Sequence, residues 1–300
     1  DILRFNAWGR NHIDNPSANL QTTIGELRDS QLFGDYFFRH YLVPMTSAIW
    51  SSTANDVERF PLPLFLQFFA NHGLLQIHGH PPWRTVVGGS HRYIDALVRP
   101  FHNCIRLRTA VDRIQRNARG VKIHTADNGW EHYDKVVIAT HADQALNLLE
   151  KPTEDEINNL GLIPYRKNIA VLHTDRTVLP RSRRAWASWN YDIENCCNSQ
   201  TPLRMTYYLN RLQRLDTENH YCVTLNAEEL IDPAHILASI PYEHPVYTPA
   251  GLHARDVIRS ISGHNHTFYC GAHLGNGFHE DGVVSGLAIR RTLIKMQEAA

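Results

Sequence analysis

Apolar positions change their spacing several times along this chain, and each change marks a different kind of element. Residues 1–80 read as mostly helical. Thr23-Ile-Gly-Glu26 has the form of a capping box, in which Thr and Glu three residues apart satisfy each other's backbone donors. Apolar and aromatic residues follow at Leu27, Leu32, Phe33, Tyr36, Phe37 and Tyr41, until Pro44 interrupts. Pro61-Leu-Pro63 opens a second run, Leu64 to Ala70, which Asn71-His72-Gly73 closes as a helix stop. This aromatic region predicts a wall or lid rather than a chemical centre. Pro81-Pro82 begins a new section, with Val86-Val87, then Gly88-Gly89-Ser90, then a helix from His91 to about Arg99.

From Ile105 to Ile138 the pattern becomes strand-like. Val121 and Ile123 alternate with Lys122 and His124, and Asp127-Asn128-Gly129 predicts a hairpin turn because Asn-Gly tolerates the positive φ that tight hairpins need. Val136-Val-Ile-Ala-Thr140 does not alternate, which predicts a parallel strand buried on both faces. A helix from Asp143 to Leu149 and a polar helix within 151–165 follow. Runs at Ile169–His173, Ala185–Tyr191, Met205–Asn210 and Tyr221–Leu225 predict an antiparallel sheet. Asp232 to Ile240 and Leu252 to Ile261 read as short helices. Strand Thr267–Cys270, a glycine loop and a helix from Gly282 to about Gln297 end the chain.

Composition narrows the class. A chain of 300 residues suggests one large or two modest domains. Thirty basic and thirty acidic side chains cancel, so nothing marks a nucleic-acid partner. With 43% apolar and 20% charged residues the chain is globular, neither disordered nor a disulfide miniprotein. Five cysteines, Cys104, Cys196, Cys197, Cys222 and Cys270, fit no zinc spacing and read as reduced thiols in the cytoplasm. The longest apolar run, Phe60 to Ala70, is broken by Pro61, Pro63 and Gln67 and is shorter than the ~20 residues of a membrane span. Asp1-Ile-Leu-Arg-Phe-Asn lacks an initiator Met and reads like the inside of an amphipathic helix, the expectation being a fragment.

The most informative segment is Phe268 to Gly286, a strand, a loop with Gly271, Gly275, Gly277 and Gly282, and a helix. Glycines admit close backbone approach, and a helix N-terminus offers unpaired donors and positive partial charge. Together they suit a phosphate or another electron-rich group. Asp281 falls where an N-cap belongs. Gly282, Gly286, Ile289, Leu293 and Met296 predict the packing face. The dinucleotide fingerprint is absent, since its third glycine would fall on Glu280. A tight turn without a ligand remains the alternative.

Several segments carry a resemblance. They are Tyr41-Leu-Val-Pro-Met-Thr-Ser-Ala-Ile-Trp-Ser51, Trp83-Arg-Thr-Val-Val-Gly-Gly-Ser-His-Arg-Tyr93, Val136-Val-Ile-Ala-Thr-His-Ala-Asp143, Ala185-Trp-Ala-Ser-Trp-Asn-Tyr191 and Gly277-Phe-His-Glu-Asp-Gly282. Over nearly the whole chain the sequence resembles the flavin-containing amine oxidase and FAD-dependent desaturase superfamily, more narrowly the bacterial predicted NAD/FAD-binding proteins associated with modified fatty-acid metabolism. That family begins with strand, GxGxxG and helix, which this sequence lacks, so the resemblance implies a missing mononucleotide-binding half and poor FAD retention.

Roles follow from the resemblance by position. Val111 would offer its backbone to the adenine end, and Thr140, His141 and Ala142 would lie near the ADP portion. Gly271 and Ala272 would approach the pyrophosphate or ribityl chain, and Gly277 would also belong to the cofactor site. Asp281, Gly282 and Val283 would present the helix N-terminus to the flavin, while Gly88 and Gly89 would pass close to the flavin or substrate mouth. The resemblance implies FAD, a small apolar or acyl substrate such as a modified fatty acyl chain, and peripheral contact with lipid.

Other chemistry is thin. His279 and Glu280, beside the implied flavin, could move a proton or simply brace the loop. Trp186, Trp189, Asn190, Tyr207, Tyr208 and Asn210 lie on the predicted sheet, with Trp189, Asn190, Tyr208 and Asn210 the candidates for lining a substrate cavity. His78-Gly-His80 and His264-Asn-His266 raise a metal-dependent hydrolase, but no H-E-x-x-H completes it and no metal site is predicted. Ser90 and Ser285 lie outside any G-x-S-x-G, the adjacent Cys196 and Cys197 read as ordinary thiols, and Arg181, Arg183 and Arg184 form a basic loop suited to solvent, lipid head groups or a carboxylate.

The expected architecture is α/β. An incomplete FAD-binding Rossmann-like domain, from 81–150 and 262–300, is interleaved with a substrate domain of helices (1–80) and a mostly antiparallel sheet (151–261). The expected activity is FAD-dependent oxidation or desaturation. The rival class is a non-catalytic binding module.

Overall fold

The computed structural model describes residues 1–13, 21–191 and 204–298. The chain opens with helices α1 (Ile2–Ile13), α2 (Ile24–Asp29), α3 (Asp35–Phe37), α4 (Val43–Trp50), α5 (Ala54–Glu58), α6 (Leu62–Asn71) and α7 (His91–Val98). Strands β1 (Val111–Asn117), β2 (Gly120–Thr125), β3 (Gly129–Tyr133) and β4 (Val136–Ile138) follow, then helices α8 (Ala142–Leu148) and α9 (Glu154–Leu160). Next come β5 (Tyr165–His173), β6 (Trp189–Tyr191), β7 (Met205–Tyr208), α10 (Leu209–Leu212), β8 (Cys222–Leu225) and β9 (Ile236–Pro245). The chain ends with α11 (Pro249–Ile261), β10 (Thr267–Tyr269) and α12 (His279–Glu298). Two units result, residues 1–102 with 165–246 and residues 103–164 with 247–300. The sequence expectation placed its changes at 80/81, 150/151 and 261/262.

In the first unit the predicted capping box is present, Thr23 and Glu26 each accepting from the other's amide. The α6 helix starts on Pro61 and stops at Asn71, as the proline and glycine signals predict. Its rings pack on those of neighbouring helices. Phe65 and Phe69 stand 4.0 Å apart, Phe5 lies 6.1 Å from Phe65, and Trp50 lies 4.9 Å from Phe68. Phe5, Phe60, Phe65 and Phe69 are fully buried, so the predicted wall is a hydrophobic core in its own right. The segment after it differs. Helix α7 buries none of its residues, and Val87 is 91% exposed.

The sheet of this unit runs β6-β7-β8-β5-β9, antiparallel throughout. On one face Met205 packs on Ala48 with Tyr191 and Tyr207 around them. On the other, His173 Nε2 meets the Thr224 hydroxyl at 2.7 Å, which meets the Thr206 hydroxyl at 2.9 Å. Two sequence expectations change here. Asp232–Ile240 is not a helix. A 3₁₀ turn at Pro233–His235 leads into the ten-residue strand β9. Pro241 and Pro245 argue against a central strand, but among the described residues β9 pairs only with β5, and an outer strand tolerates missing N–H donors. The run Ala185–Tyr191 is strand only from Trp189, a 3₁₀ turn preceding it at Arg183–Ala185.

In the second unit β1, β2 and β3 form an antiparallel sheet, and Gly129 takes φ 66° at the predicted turn. Strands β4 and β10 pair in parallel, Thr267 to Tyr269 against Val136 to Ile138. The expectation that β4 is buried on both faces fails. Val137 is 44% exposed, because among the described residues this sheet has two strands and nothing covers that face. Behind it lies a buried ionic knot. Arg116 donates to both carboxylate oxygens of Glu156, and the Tyr269 hydroxyl donates to Glu156 Oε1 at 2.6 Å. Burial works to raise the Glu156 carboxyl, but the bonds from Arg116, Tyr269 and the Thr153 backbone outweigh it and hold the group below its usual range. Burial and the same carboxylate push the Tyr269 phenol upward. The knot ties β1, α9 and β10 together.

Candidate functional site: the glycine loop and its helix

Strand β10 delivers the chain into a loop whose glycines are mostly required by the protein itself. A Cβ on Gly271 would stand 2.6 Å from the His273 ring. One on Gly275 would overlap the Asp281 carboxylate. Gly277 takes φ 94°, and its Cβ would stand 2.5 Å from the Tyr247 hydroxyl oxygen. The Ala272 carbonyl accepts from Gly275 N at 2.9 Å and Gly277 N at 3.1 Å, winding the loop into a tight coil. Gly271 N donates to Ser285 Oγ at 3.0 Å, which donates to the Gly282 carbonyl. The loop is thus held on the first turns of α12.

The two helical glycines behave differently. A Cβ on Gly282 would find nothing nearer than Ala272 N at 4.0 Å, and one on Gly286 would meet nothing within 4 Å. Open space therefore runs along α12 where the loop ends. The helix begins at His279, not Gly282, and Asp281 is not its N-cap. Its carboxylate accepts from Phe278 N at 2.9 Å, the backward half of a capping box in which Asp281 holds the third helical position. A carboxylate there complements the helix dipole as well as an N-cap would. The predicted packing face is also only partly used. Ile289 alone is buried, and Met296 is 44% exposed.

Behind the loop is a polar group that the sequence does not announce as such. Arg255, on α11, is 5% exposed and lies over the Tyr247 ring, 4.5 Å from its centroid. No carboxylate among the described residues stands within ion-pair distance of it. Burial lowers its pKa. His273 is also buried, and burial pushes its imidazole down to about 4, with the fields of Arg255 and His141 acting in the same direction. At neutral pH the loop thus encloses a neutral imidazole and a cation. A signal existed. Gly251, Ala254, Arg255, Ile258 and Ile261 form the buried stripe of α11, with a charged residue in an otherwise apolar row.

A crevice of about 390 Å³ opens beside the loop, bounded by Arg259, Leu274, Gly275, Asp281, Ser285 and Ile289 among others. Arg259 braces it by donating to the Leu274 carbonyl. This volume lies within the range of small-molecule pockets.

The other predicted cofactor residues occupy varied settings. Val111 opens β1 beside an irregular register and is 36% exposed. Thr140 is exposed at the end of β4, its hydroxyl donating to the His141 carbonyl. His141 caps α8, its side chain accepting from the Gln144 amide, and Ala142 is buried. Ala272 and Gly282 are half-buried, and Val283 is 47% exposed. Gly88 and Gly89 form an exposed turn at φ 82° and 89° in the first unit. His279 and Glu280 are exposed in the first turn of α12.

The four substrate candidates do not share one surface. Trp189 pairs with Tyr207 on one face of the sheet, the rings 5.6 Å apart. Asn190 is directed to the opposite face by the period of two, and its amide is engaged by the Ala187 and Thr206 backbones. Tyr208 packs against Trp186 at 5.3 Å and its hydroxyl meets His220 Nδ1 at 2.8 Å. Asn210 lies in α10, not on a strand, and ties Asn219 to Tyr221 across a turn. Cys196 and Cys197 lie outside the described residues. His264 and His266 sit in a 3₁₀ turn, and no three His, Cys, Asp or Glu side chains converge among the described residues. The Ser285 hydroxyl is committed to the loop, and Ser90 is exposed.

Comparison with known proteins gives this geometry its context. Among curated proteins no sequence matches the chain. Cyclohexylamine oxidase from Brevibacterium oxydans superposes with TM-score 0.66 at 12% identity, over 99% of this chain and 75% of the other. Putrescine oxidase bound to putrescine gives 0.67 at 12%, over 98% and 75%. A conjugated-linoleic-acid-producing fatty acid isomerase from P. acnes gives 0.56 at 14%, over 89% and 72%. At such identities these likenesses establish the fold. The family model for flavin-containing amine oxidoreductases matches residues 9–211, more than half of the sequence. The chain therefore belongs to the flavin-containing amine oxidoreductase family, whose cofactor is FAD.

Proposed function

We propose that this protein is an FAD-dependent oxidoreductase that oxidises or desaturates an apolar substrate, a modified acyl chain being the class we favour. The observation that carries the reading is the open strip along Gly282 and Gly286 at the start of a twenty-residue helix. Helix N-termini leave their first amides without intrahelical acceptors, and the two glycines leave the side of α12 open next to them. These donors and the absent Cβ atoms fit an electron-rich ring or polyol edge. Gly282 and Val283 would hold it by backbone, with Ala272 alongside. Bound flavin supplies the two-electron acceptor. The protein's own part is to orient, to keep water out and to hold charge. Arg255 and neutral His273 place a net positive charge behind the loop, on the side where negative charge on a ligand would be stabilised. His279 and Glu280, exposed in the first turn of α12, are the candidates to exchange a proton. Thr140 and His141, just after β4, would lie near the ADP portion.

The acyl preference draws support from the fatty acid isomerase likeness. No helix among the described residues is long and apolar enough to cross a membrane. Cys104, Cys222 and Cys270 are unpaired, which supports a cytoplasmic location.

The test is a visible spectrum and an FAD titration of the purified chain, followed by anaerobic addition of unsaturated or substituted fatty acids and of primary amines. Bleaching of bound flavin by the acyl compounds supports the reading. Bleaching by amines alone replaces the substrate class. Bound FAD that none of these compounds bleaches, with the fold intact by circular dichroism, leaves a binding module as the better description.

A further inference from the structure

A second cavity lies in the other unit, lined in part by Arg181 and Asn190. It measures about 440 Å³ and is walled by Leu179, Tyr191 and Leu230 on its apolar side and by Arg181, Arg204 and Thr206 on its polar side. Among the described residues that line it, none is acidic. Most of its neutral polar groups are already engaged. The Thr206 and Thr224 hydroxyls bond each other and His173. The Asn190 amide is held by the Ala187 and Thr206 backbones. The Thr177 hydroxyl donates to Asp175. The unused capacity is cationic. Arg204 Nε is buried and has no hydrogen-bond acceptor among the described residues, while its Nη2 donates to Glu229, which is 60% exposed. Arg181 makes no ion pair with any described residue.

A guanidinium presents five donors in a plane, so Arg204 can keep Glu229 on one edge and take a second anion on the other. An unsatisfied buried donor is costly unless a ligand completes it. An anion alone would leave the exposed Leu230 uncovered. We infer that this cavity binds a small amphipathic carboxylate, its carboxyl group on Arg204 Nε with Arg181 at the rim and its apolar body against Leu179 and Leu230. This site is independent of the flavin reading, since every residue it uses lies within one unit of the chain.

Isothermal titration of the whole chain with octanoate, octanol, octylamine and inorganic phosphate tests it. The expected result is octanoate binding with Kd on the order of 1 mM or tighter, and weaker or no binding of the other three. Arg204→Lys keeps the charge but lacks the Nε–H, and should weaken octanoate about tenfold or more. Leu179→Trp, which fills the apolar end, should do the same. Arg119→Gln, at an exposed turn of the other unit, should change nothing. Circular dichroism and thermal melts confirm that each variant is folded. The inference is overturned if octanol binds as well as octanoate, if phosphate binds as well, if Arg204→Lys binds unchanged, or if octanoate does not bind.

Discussion

Arg116 and Arg255 are buried in the same unit and are handled in opposite ways. Arg116 meets a carboxylate face to face, with a phenol completing the set. Arg255 has an aromatic ring and a neutral imidazole near it and no carboxylate within reach. The first arrangement cancels charge and fixes three elements. The second leaves a buried cation without a direct ion pair near a glycine loop, with Asp281 and Asp256 acting on it only through their fields. Buried ion pairs mostly hold structure in place, whereas an uncompensated buried cation has a use only if something else supplies the counter-charge.

Five experiments can break or sharpen this contrast. Glu156→Gln leaves Arg116 buried without its partner and should cost about 3–5 kcal/mol in urea unfolding. Gly277→Ala forces a Cβ toward Tyr247 at a positive φ and should cost about 1–3 kcal/mol by the same measurement. Acid is the third probe. Because the folded-state pKa of His273 lies below its usual 6.5, the unfolded chain binds the proton more readily. Stability is therefore fully present above pH 6.5 and is lost as pH falls toward about 4. His273→Gln should flatten that slope, on the order of 2 kcal/mol, in unfolding measured across the range. Arg255→Met should shift stability by no more than about 1 kcal/mol, or raise it, since desolvation is relieved and no partner is orphaned. If it costs as much as Glu156→Gln, the contrast is wrong. Gly286→Ala should stabilise α12 by about 0.5–1 kcal/mol while weakening FAD in a titration. Tighter helix with unchanged FAD affinity would take the ligand away from that strip.

What the sequence makes legible follows from how local the governing physics is. Caps, proline starts and the Asn-Gly turn depend on a few neighbouring residues, and Thr23–Glu26, Pro61 and Gly129 behave as their local chemistry requires. Burial depends on what else packs nearby. The unbroken apolar run of β4 looks covered on both sides, yet Val137 faces outward because its sheet is two strands wide. The character of β9 was hidden for a related reason, as prolines forbid a central position but not an outer one. At the site, the loop was visible from its glycines. Their purpose was not, because Gly271, Gly275 and Gly277 make room for His273, Asp281 and Tyr247, contacts that only folding creates. Trp189 and Asn190 are adjacent on a strand, and strand periodicity alone separates them onto two faces. Arg255 could have been noticed as the charge in an apolar stripe.

The strand β9 has one more consequence. Among the described residues its ten residues form the longer border of the five-stranded sheet, and a sheet border of that length can invite a foreign strand to join. Two prolines cannot donate to an incomer, and Glu243 lies between them, making this border a poor template for runaway stacking of one molecule on the next.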